Sequence, residues 1–445
     1  MLDSHVFHRQ LHRPQPVAVR ASGMHVFDSQ GKRYLDGVGG VAVNIIGHGV
    51  TEITEGIASR ADELSFTYGA VFSNPWQEEL AERLVSLSPF TDASVYFASG
   101  GSEANEVAIK LARQYHLERG HGTKWKVISR RQSYHGNTIA MANLSGRPSW
   151  RRGFDPYFFD VPKISAPYSY RAPTSIDSTK LLEFWMDEFE AMIFHEGAET
   201  ISAFIAEPII GSSLVGVVPP TGYYEGIRKI CDRHDILFVA DEVFSGYGRT
   251  GANFAIDHWK VLPDIITAGK GVGSGYVPIS ACILSPGVDR VIRAGTGMHT
   301  QGFTFSGSAF ACFIGVQVNT YVREHALIER SAALGRYLHN ALQQLYQTCP
   351  AIGDVRGKGL LAGIELVADR DSKTPFSVDL NVAQRIVDRC AESGLLLLAG
   401  SPNAGLDRGG DLLQITPPFI ITETQVDDLV SLLGDAIEQV TAPLC

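Results

Sequence analysis

The stretch ILFVADEVFSGYGRTG, Ile236 to Gly251, runs five apolar residues straight into two carboxylates and then turns glycine-rich. A run that is apolar at every position, rather than at alternate ones, reads as a strand covered on both faces. The pattern recurs along the middle of the chain. KWKVISR ends near Arg130, ISAFIAEP at Glu207, ILFVADE at Asp241 and PDIITAGK at Lys270, and PISACILS follows. Helix-like segments such as TGYYEGIRKICDRHD lie between them. Short apolar strands alternating with helices predict a mostly parallel α/β sheet with helices on its faces. In EANEVAIKLARQY, residues Ala104, Val107, Ala108, Leu111 and Ala112 keep the i, i+3, i+4 spacing of one buried helix face.

Outside that core the pattern changes. The first 65 residues, with GMHVFDSQGKRYLDGVGG, read as a hairpin and loop that pack on a neighbouring lobe. The last part combines helix-like SAALGRYLHNALQQLYQ, NVAQRIVDRCAESG and ETQVDDLVSLLGDAIEQV with glycine-broken strands in IGDVRGKGLLAGIELV and LLQITPP. The expected division is an N-terminal segment 1–65 contributing to a small domain, a large domain 66–325 and an α+β small domain 326–445. A length of 445 residues agrees with more than one lobe.

Bulk properties exclude several classes. A net charge of −10 without a concentrated basic stretch argues against a nucleic-acid partner. No apolar run approaches a membrane span, and MLDSHVFHRQLHRPQP lacks the apolar core of a signal peptide. The six cysteines, Cys231, Cys282, Cys312, Cys349, Cys390 and Cys445, form no C-x-x-C pair. No metal site is expected from them, and idle thiols in a reducing cytoplasm are.

Ligands of a parallel sheet collect outside the carboxyl ends of its strands. Glu207, Asp241 and Lys270 stand at three such ends. Two chemistries use a carboxylate and a lysine there: a plain salt bridge, or a pyridoxal phosphate site. In the second, the lysine holds the cofactor and the acid holds the proton on the ring nitrogen. A phosphate would need a cradle. SGGSEANE, Ser99 to Glu106, offers glycines for close approach, the Ser102 hydroxyl and a helix start, although a ligand-free helix cap has the same residues. SYHG, Ser133 to Gly136, sets an aromatic ring beside a glycine, suited to stacking on a flat ring or to a packed loop. Nucleotide motifs fail. AGKGVGSG has Gly271 where a P-loop needs Ser or Thr, and it misses the last glycine of G-x-G-x-x-G.

The blocks FASGGSEANEVAIKLAR, SYHGNT, IAEPIIG, GVVPPTGYYEGIRKICDRHDILFVADEVFSGYGRTG, PDIITAGKGVGSGYVPIS and GFTFSGSAFAC occur in the order seen in class III aminotransferases. The resemblance runs from DSQGKRYLDG to PPFIIT, nearly the whole chain. It implies the fold type I architecture: a large domain with a mostly parallel seven-stranded sheet, and a smaller α+β domain formed by both termini. It implies pyridoxal 5′-phosphate as cofactor. By resemblance, Lys270 is the Schiff-base lysine and Asp241 the partner of the pyridinium nitrogen. Val243 and Tyr134 resemble the residues packing on the two ring faces, and Gly101 and Ser102 the phosphate cradle. His135, Gly136 and Glu207 border the same cofactor, with Glu207 assigned to the substrate side. Thr304 is similar to the threonine that reaches the phosphate of the neighbouring subunit, which implies a homodimer with its sites on the two-fold interface. Arg249 is expected to be structural, pairing with an acid. Two departures stand out: Gly100 replaces a usual serine and Ser308 a usual histidine.

The implied activity is ping-pong transfer of an amino group from an amine or ω-amino acid to a keto acid, pyruvate rather than 2-oxoglutarate. Val41 and Phe72 fall in segments lining the substrate entrance of relatives. Arg408, in AGLDRGGD, falls where some members carry a mobile arginine for the acceptor carboxylate; a solvated loop arginine is the other reading. Racemases, decarboxylases, lyases and an aminomutase share the lysine and aspartate. A catalytically silent homologue would be expected to have lost one of them.

Overall fold

Leu237–Asp241 forms a strand, and all five residues are buried. Burial on both faces follows from its place in the middle of a seven-stranded sheet. A computed structural model of the chain describes residues 5–13, 15–60, 63–400 and 411–444. The strands of the central sheet are β1 (Ser94–Ala98), β2 (Lys126–Arg130), β3 (Lys163–Ile164), β4 (Ile201–Ala206), β5 (Leu237–Asp241), β6 (Ile265–Ala268) and β7 (Ser280–Leu284). Their spatial order is β1-β7-β6-β5-β4-β2-β3. The pairs from β3 across to β6 are parallel. Strand β7 is antiparallel to both β6 and β1. Parallel neighbours need a long crossover, usually a helix. Between β6 and β7 the chain makes a single helical turn, Lys270–Val272, so it doubles back.

Side chains alternate across β4 and β5. Ala203, Ile205, Leu237 and Val239 pack with Val107, Ala108 and Leu111 of α1 (Gly101–Glu118). Phe204 and Phe238 lie on the other face. Phe204 meets Phe189 of α2 (Leu181–Glu196), and Phe238 stacks on Tyr224 of α3 (Tyr223–Arg233). Each such ring contributes roughly 2 kcal/mol by burial. The predicted face of α1 is buried in full, and the polar Asn105 and His116 are buried with it.

Both termini build the smaller lobe. The hairpin His25–Asp28 and Arg33–Asp36 joins Ala18–Ser22 on one side. On the other side, Leu395 pairs in parallel with Leu35, and Leu396 with Asp36, so the chain's two ends share one sheet. A second sheet contains Ile352–Lys358, Leu361–Leu366, Leu398–Ala399 and Asp411–Ile415. Helices Leu327–Thr348, Val382–Glu392 and Glu423–Thr441 accompany it. Among the described residues, no helix is long and apolar enough to cross a membrane.

Candidate active site

Strands β4, β5 and β6 are parallel, so their carboxyl ends share one edge. Glu207 follows β4, Asp241 ends β5, and Lys270 stands two residues past β6. All three line one cavity of about 240 Å³. Gly101, Ser102, Tyr134, His135, Gly136 and Val243 line it too. The structure therefore brings together nine residues that the sequence scatters over 170 positions.

Asp241 is 3% exposed and is held from several directions. Its Oδ2 accepts from His135 Nδ1 at 2.7 Å and from Asn105 Nδ2 at 2.8 Å. Its Oδ1 accepts from the Val243 amide at 3.1 Å. Asn105 also donates to the His135 carbonyl at 2.7 Å and accepts from Thr267 Oγ1 at 2.7 Å. Thr267 sits opposite Asp241 in the β5–β6 register. The result is an anion of fixed orientation, with donors satisfying a charge that burial alone would make costly. Asn105 is the functional residue that sequence reasoning missed. Its signal was a polar side chain set among the apolar residues Ala104, Val107 and Ala108 on the buried face of α1.

Lys270 has φ +45°, in the left-handed region, and its carbonyl accepts from Ser274 N at 2.9 Å. Its ammonium nitrogen lies 5.1 Å from the centroid of the Phe244 ring. Burial pushes the lysine below its ordinary value, against the pull of the Asp241 and Glu207 carboxylates. Glu207 differs from the expected substrate-side role in what it holds. It is 2% exposed, Oε1 accepts from the Tyr134 amide at 2.9 Å and Oε2 from the Gly211 amide at 2.8 Å. Both oxygens are thus committed to loop backbone, which fixes the segment carrying Tyr134. Burial pushes its carboxyl upward.

At the other end of the cavity, α1 begins at Gly101 with Gly100 extended before it and no side-chain cap. Its first amides are therefore available to an anion. A Cβ on Gly101 would lie 2.5 Å from Val243 Cγ1. A Cβ on Gly136, whose φ is +136°, would lie 2.3 Å from Ser102 Oγ and 2.9 Å from Ser102 Cα. Ser102 Oγ accepts from the Asn137 amide at 3.0 Å. Only glycine lets these three segments close around the helix start. The Tyr134 ring is braced edge-on by Trp150, with centroids 5.1 Å apart, and the Arg147 guanidinium lies 4.2 Å over Trp150.

Other expectations fall elsewhere. Val41 is 40% exposed, with φ +69°, Phe72 is 62% exposed, and neither lines the cavity. Thr304 is exposed and is likewise absent from the lining. Val43, Phe244 and Ile279 line it without having been anticipated. Arg408 lies outside the described residues. Arg249 is 1% exposed, but its partners are carbonyls, not an acid: Nη1 donates to Leu360 O at 3.0 Å and Pro417 O at 2.6 Å. It joins the glycine-rich loop to the smaller lobe. Cys231, Cys282, Cys312, Cys349 and Cys390 are free thiols, and Cys445 lies outside the described residues.

A fixed carboxylate, a lysine disfavoured as a cation and an uncapped helix start share one cavity. Their chemistry fits pyridoxal 5′-phosphate: a donor set for a ring nitrogen, an amine for an aldehyde and amides for a phosphate. This fold and site define a fold type I pyridoxal phosphate enzyme. The profile of class III aminotransferases matches residues 6–437. The uncharacterized aminotransferase YodT of Bacillus subtilis is 38% identical over 440 residues, covering 99% of this chain and 98% of YodT. An (S)-enantioselective ω-transaminase from Thermomicrobium roseum superposes with a TM-score of 0.91 at 33% identity, covering 99% of this chain and 97% of that one. The pyridoxamine phosphate form of an aminotransferase from Vibrio fluvialis gives a TM-score of 0.89 at 30% identity, over 97% and 94% of the two chains. The chain belongs to the class III aminotransferase family, and it is a pyridoxal phosphate-dependent transaminase.

Proposed function

We propose that the enzyme moves an amino group from an amine or ω-amino acid to a keto acid, pyruvate in preference to 2-oxoglutarate, by a ping-pong cycle. The observation that carries this reading is the meeting of Lys270 and Asp241 in one cavity with the uncapped start of α1. When bound, pyridoxal 5′-phosphate supplies an aldehyde carbon that takes up the amino group and a ring that spreads negative charge from the substrate carbon. Lys270 is assigned as the residue that carries the cofactor covalently and moves the proton at the substrate carbon. Burial favours its neutral amine, the form that can attack a carbonyl or accept a proton. Asp241 is assigned to keep a proton on the ring nitrogen, with Asn105 and His135 holding its carboxylate in place. Gly101, Ser102 and Gly136 are assigned to the phosphate, and Tyr134 and Val243 to the ring faces.

Thr304 lies outside the cavity of its own chain and exposed to solvent. That supports its assignment to the phosphate of a partner subunit, and Val41 and Phe72, also exposed, to the same interface or the substrate entrance. Arg408 keeps its assignment to the acceptor carboxylate. A cytoplasmic homodimer divided near residues 65 and 325 belongs to the same proposal.

The test is a panel of amines added, without acceptor, to the purified holoenzyme, followed by absorbance. Conversion of the bound cofactor to its amino form, reversed by pyruvate faster than by 2-oxoglutarate, is the expected result. A cofactor that every amine leaves unconverted would refute amino transfer; faster reversal by 2-oxoglutarate would overturn the acceptor assignment.

A further inference from the structure

Helix α1 starts at the cavity and ends, 18 residues later, on the opposite edge of the sheet. There a second group of side chains converges. His116 occupies the last turn of α1, and His121 follows it after Gly120, whose φ of +78° turns the chain back. The His121 amide donates to the His116 carbonyl at 2.8 Å, which sets the two rings on one side of the turn. Asp235, from the turn between α3 and β5, approaches both. His116 Nδ1 lies 3.9 Å, and His121 Nδ1 3.2 Å, from Asp235 Oδ2. One potential ligand atom from each of the three residues lies within 4.8 Å of those of the other two.

None of these three atoms makes a hydrogen bond, although all are buried. The case of His116 is the sharpest, because its side chain is 0% exposed. Its Nε2 donates to the Ser202 carbonyl at 2.9 Å. That bond fixes the tautomer of the neutral ring and leaves the Nδ1 lone pair without a donor, 3.9 Å from a carboxylate oxygen. Two facing lone pairs repel unless a cation lies between them. A backbone carbonyl on the far nitrogen is also the usual support of a metal-ligating histidine.

We propose that His116 Nδ1, His121 Nδ1 and Asp235 Oδ2 bind a divalent transition-metal ion of the zinc type, with water completing the coordination. A tetrahedral ion bound at the usual zinc distances wants its ligands roughly 3.4 Å apart. The two distances to Asp235 bracket that spacing, and rotation of His121, 42% exposed, closes the third side. Imidazole ligands select such an ion over Mg²⁺ or Ca²⁺. Two cations stand nearby. Arg119 donates to Asp235 Oδ1 at 2.6 Å, and Lys124 Nζ donates to the Asp235 and His234 carbonyls at 2.9 and 3.0 Å. Both are engaged away from Oδ2: Arg119 orients the carboxylate through Oδ1, Lys124 holds the backbone of the turn, and their charges lower the affinity without blocking the ion. The bound ion would pin the C-terminal end of α1 to the turn preceding β5, on the edge away from the chemistry.

The experiment uses full-length holoenzyme without an affinity tag, treated with chelator and desalted. It is titrated with Zn²⁺ by calorimetry, with bound metal counted after ultrafiltration. One zinc per chain is expected, together with a zinc-dependent rise in Tm. His121→Ala and Asp235→Asn are each expected to weaken binding tenfold or more and to abolish the rise in Tm. Both substitutions lie near the surface, and the metal-free melting of each variant reports its folding independently. No stoichiometric zinc, equal uptake of Mg²⁺, or zinc binding unchanged in both variants would overturn the proposal.

Discussion

Gly101→Ala tests whether close packing at the start of α1 shapes the cofactor site. The added Cβ would meet Val243 Cγ1 at 2.5 Å and Cγ2 at 3.1 Å. Alanine is the better helix former, by up to about 1 kcal/mol, so the backbone alone favours the variant. The clash acts the other way. Val243 is β-branched and has few rotamers to retreat into. Its amide is also tied to Asp241 Oδ1 at 3.1 Å, so displacing it disturbs the carboxylate. Relieving an overpacked methyl costs about 1–3 kcal/mol, and here it is paid by the cofactor site. Cofactor affinity should fall about 5- to 150-fold. Val243→Ala alone loses packing on the ring face, but it also removes both clashing methyls, so the double variant should lose less than the sum of the two single losses, a coupling of about 1 kcal/mol or more. The assay is titration of pyridoxal 5′-phosphate into apoenzyme, read by tryptophan fluorescence, with apoenzyme Tm as the folding control. Wild-type affinity in Gly101→Ala, or strictly additive losses in the double variant, would refute the packing argument.

Other predictions follow from neighbouring groups. Lys270→Ala should retain non-covalent cofactor but lose turnover by about 10³-fold or more, measured by single-turnover kinetics. Asn105→Ala should destabilise the fold by about 3 kcal/mol in urea unfolding. It leaves the His135 carbonyl unpaired, reduces the Thr267 hydroxyl to its longer 3.5 Å bond to Asp241 Oδ1, and takes one donor from Asp241. Glu242→Gln should be more stable than wild type at high pH. Glu242 is 1% exposed, and burial raises its carboxyl from 4.5 to about 7. A folded value above the unfolded one favours the protonated form. The contribution of Glu242 to wild-type stability is therefore fully present below pH 4.5 and is lost as pH rises through 7, by up to about 3 kcal/mol. The Tm advantage of the variant should appear at pH 8 and close as pH falls toward 4.5; an advantage independent of pH would contradict this origin.

The strands of the central sheet were readable because burial on both faces leaves an unbroken apolar run, as in Ile201–Ala206 and Leu237–Asp241. Strand direction was not. Ser280–Leu284 is as apolar as its parallel neighbours, and only the short Lys270 turn before it makes it antiparallel. Functional groups at strand ends, Asp241 and Lys270, were legible because a charge closing an apolar run has few structural uses. The contacts among them were not. Asn105 reaches Asp241 across 136 positions, and nothing in a one-dimensional pattern pairs them. Arg249 shows the opposite failure: a buried guanidinium invites an acid, yet two carbonyls from the smaller lobe take that place. Val41, Phe72 and Thr304 came from family resemblance alone, and none of them lines the cavity that holds Asp241 and Lys270.

The central claim is that Lys270 carries the cofactor in the cavity beside Asp241. Borohydride reduction of the purified holoenzyme, followed by proteolysis and mass spectrometry, tests it most directly, because reduction makes a carbon–nitrogen link to lysine permanent. The account predicts a single modified peptide, carrying the reduced cofactor on Lys270, and no such label in Lys270→Ala. A label on another lysine, or none in protein that has bound the cofactor, would contradict it.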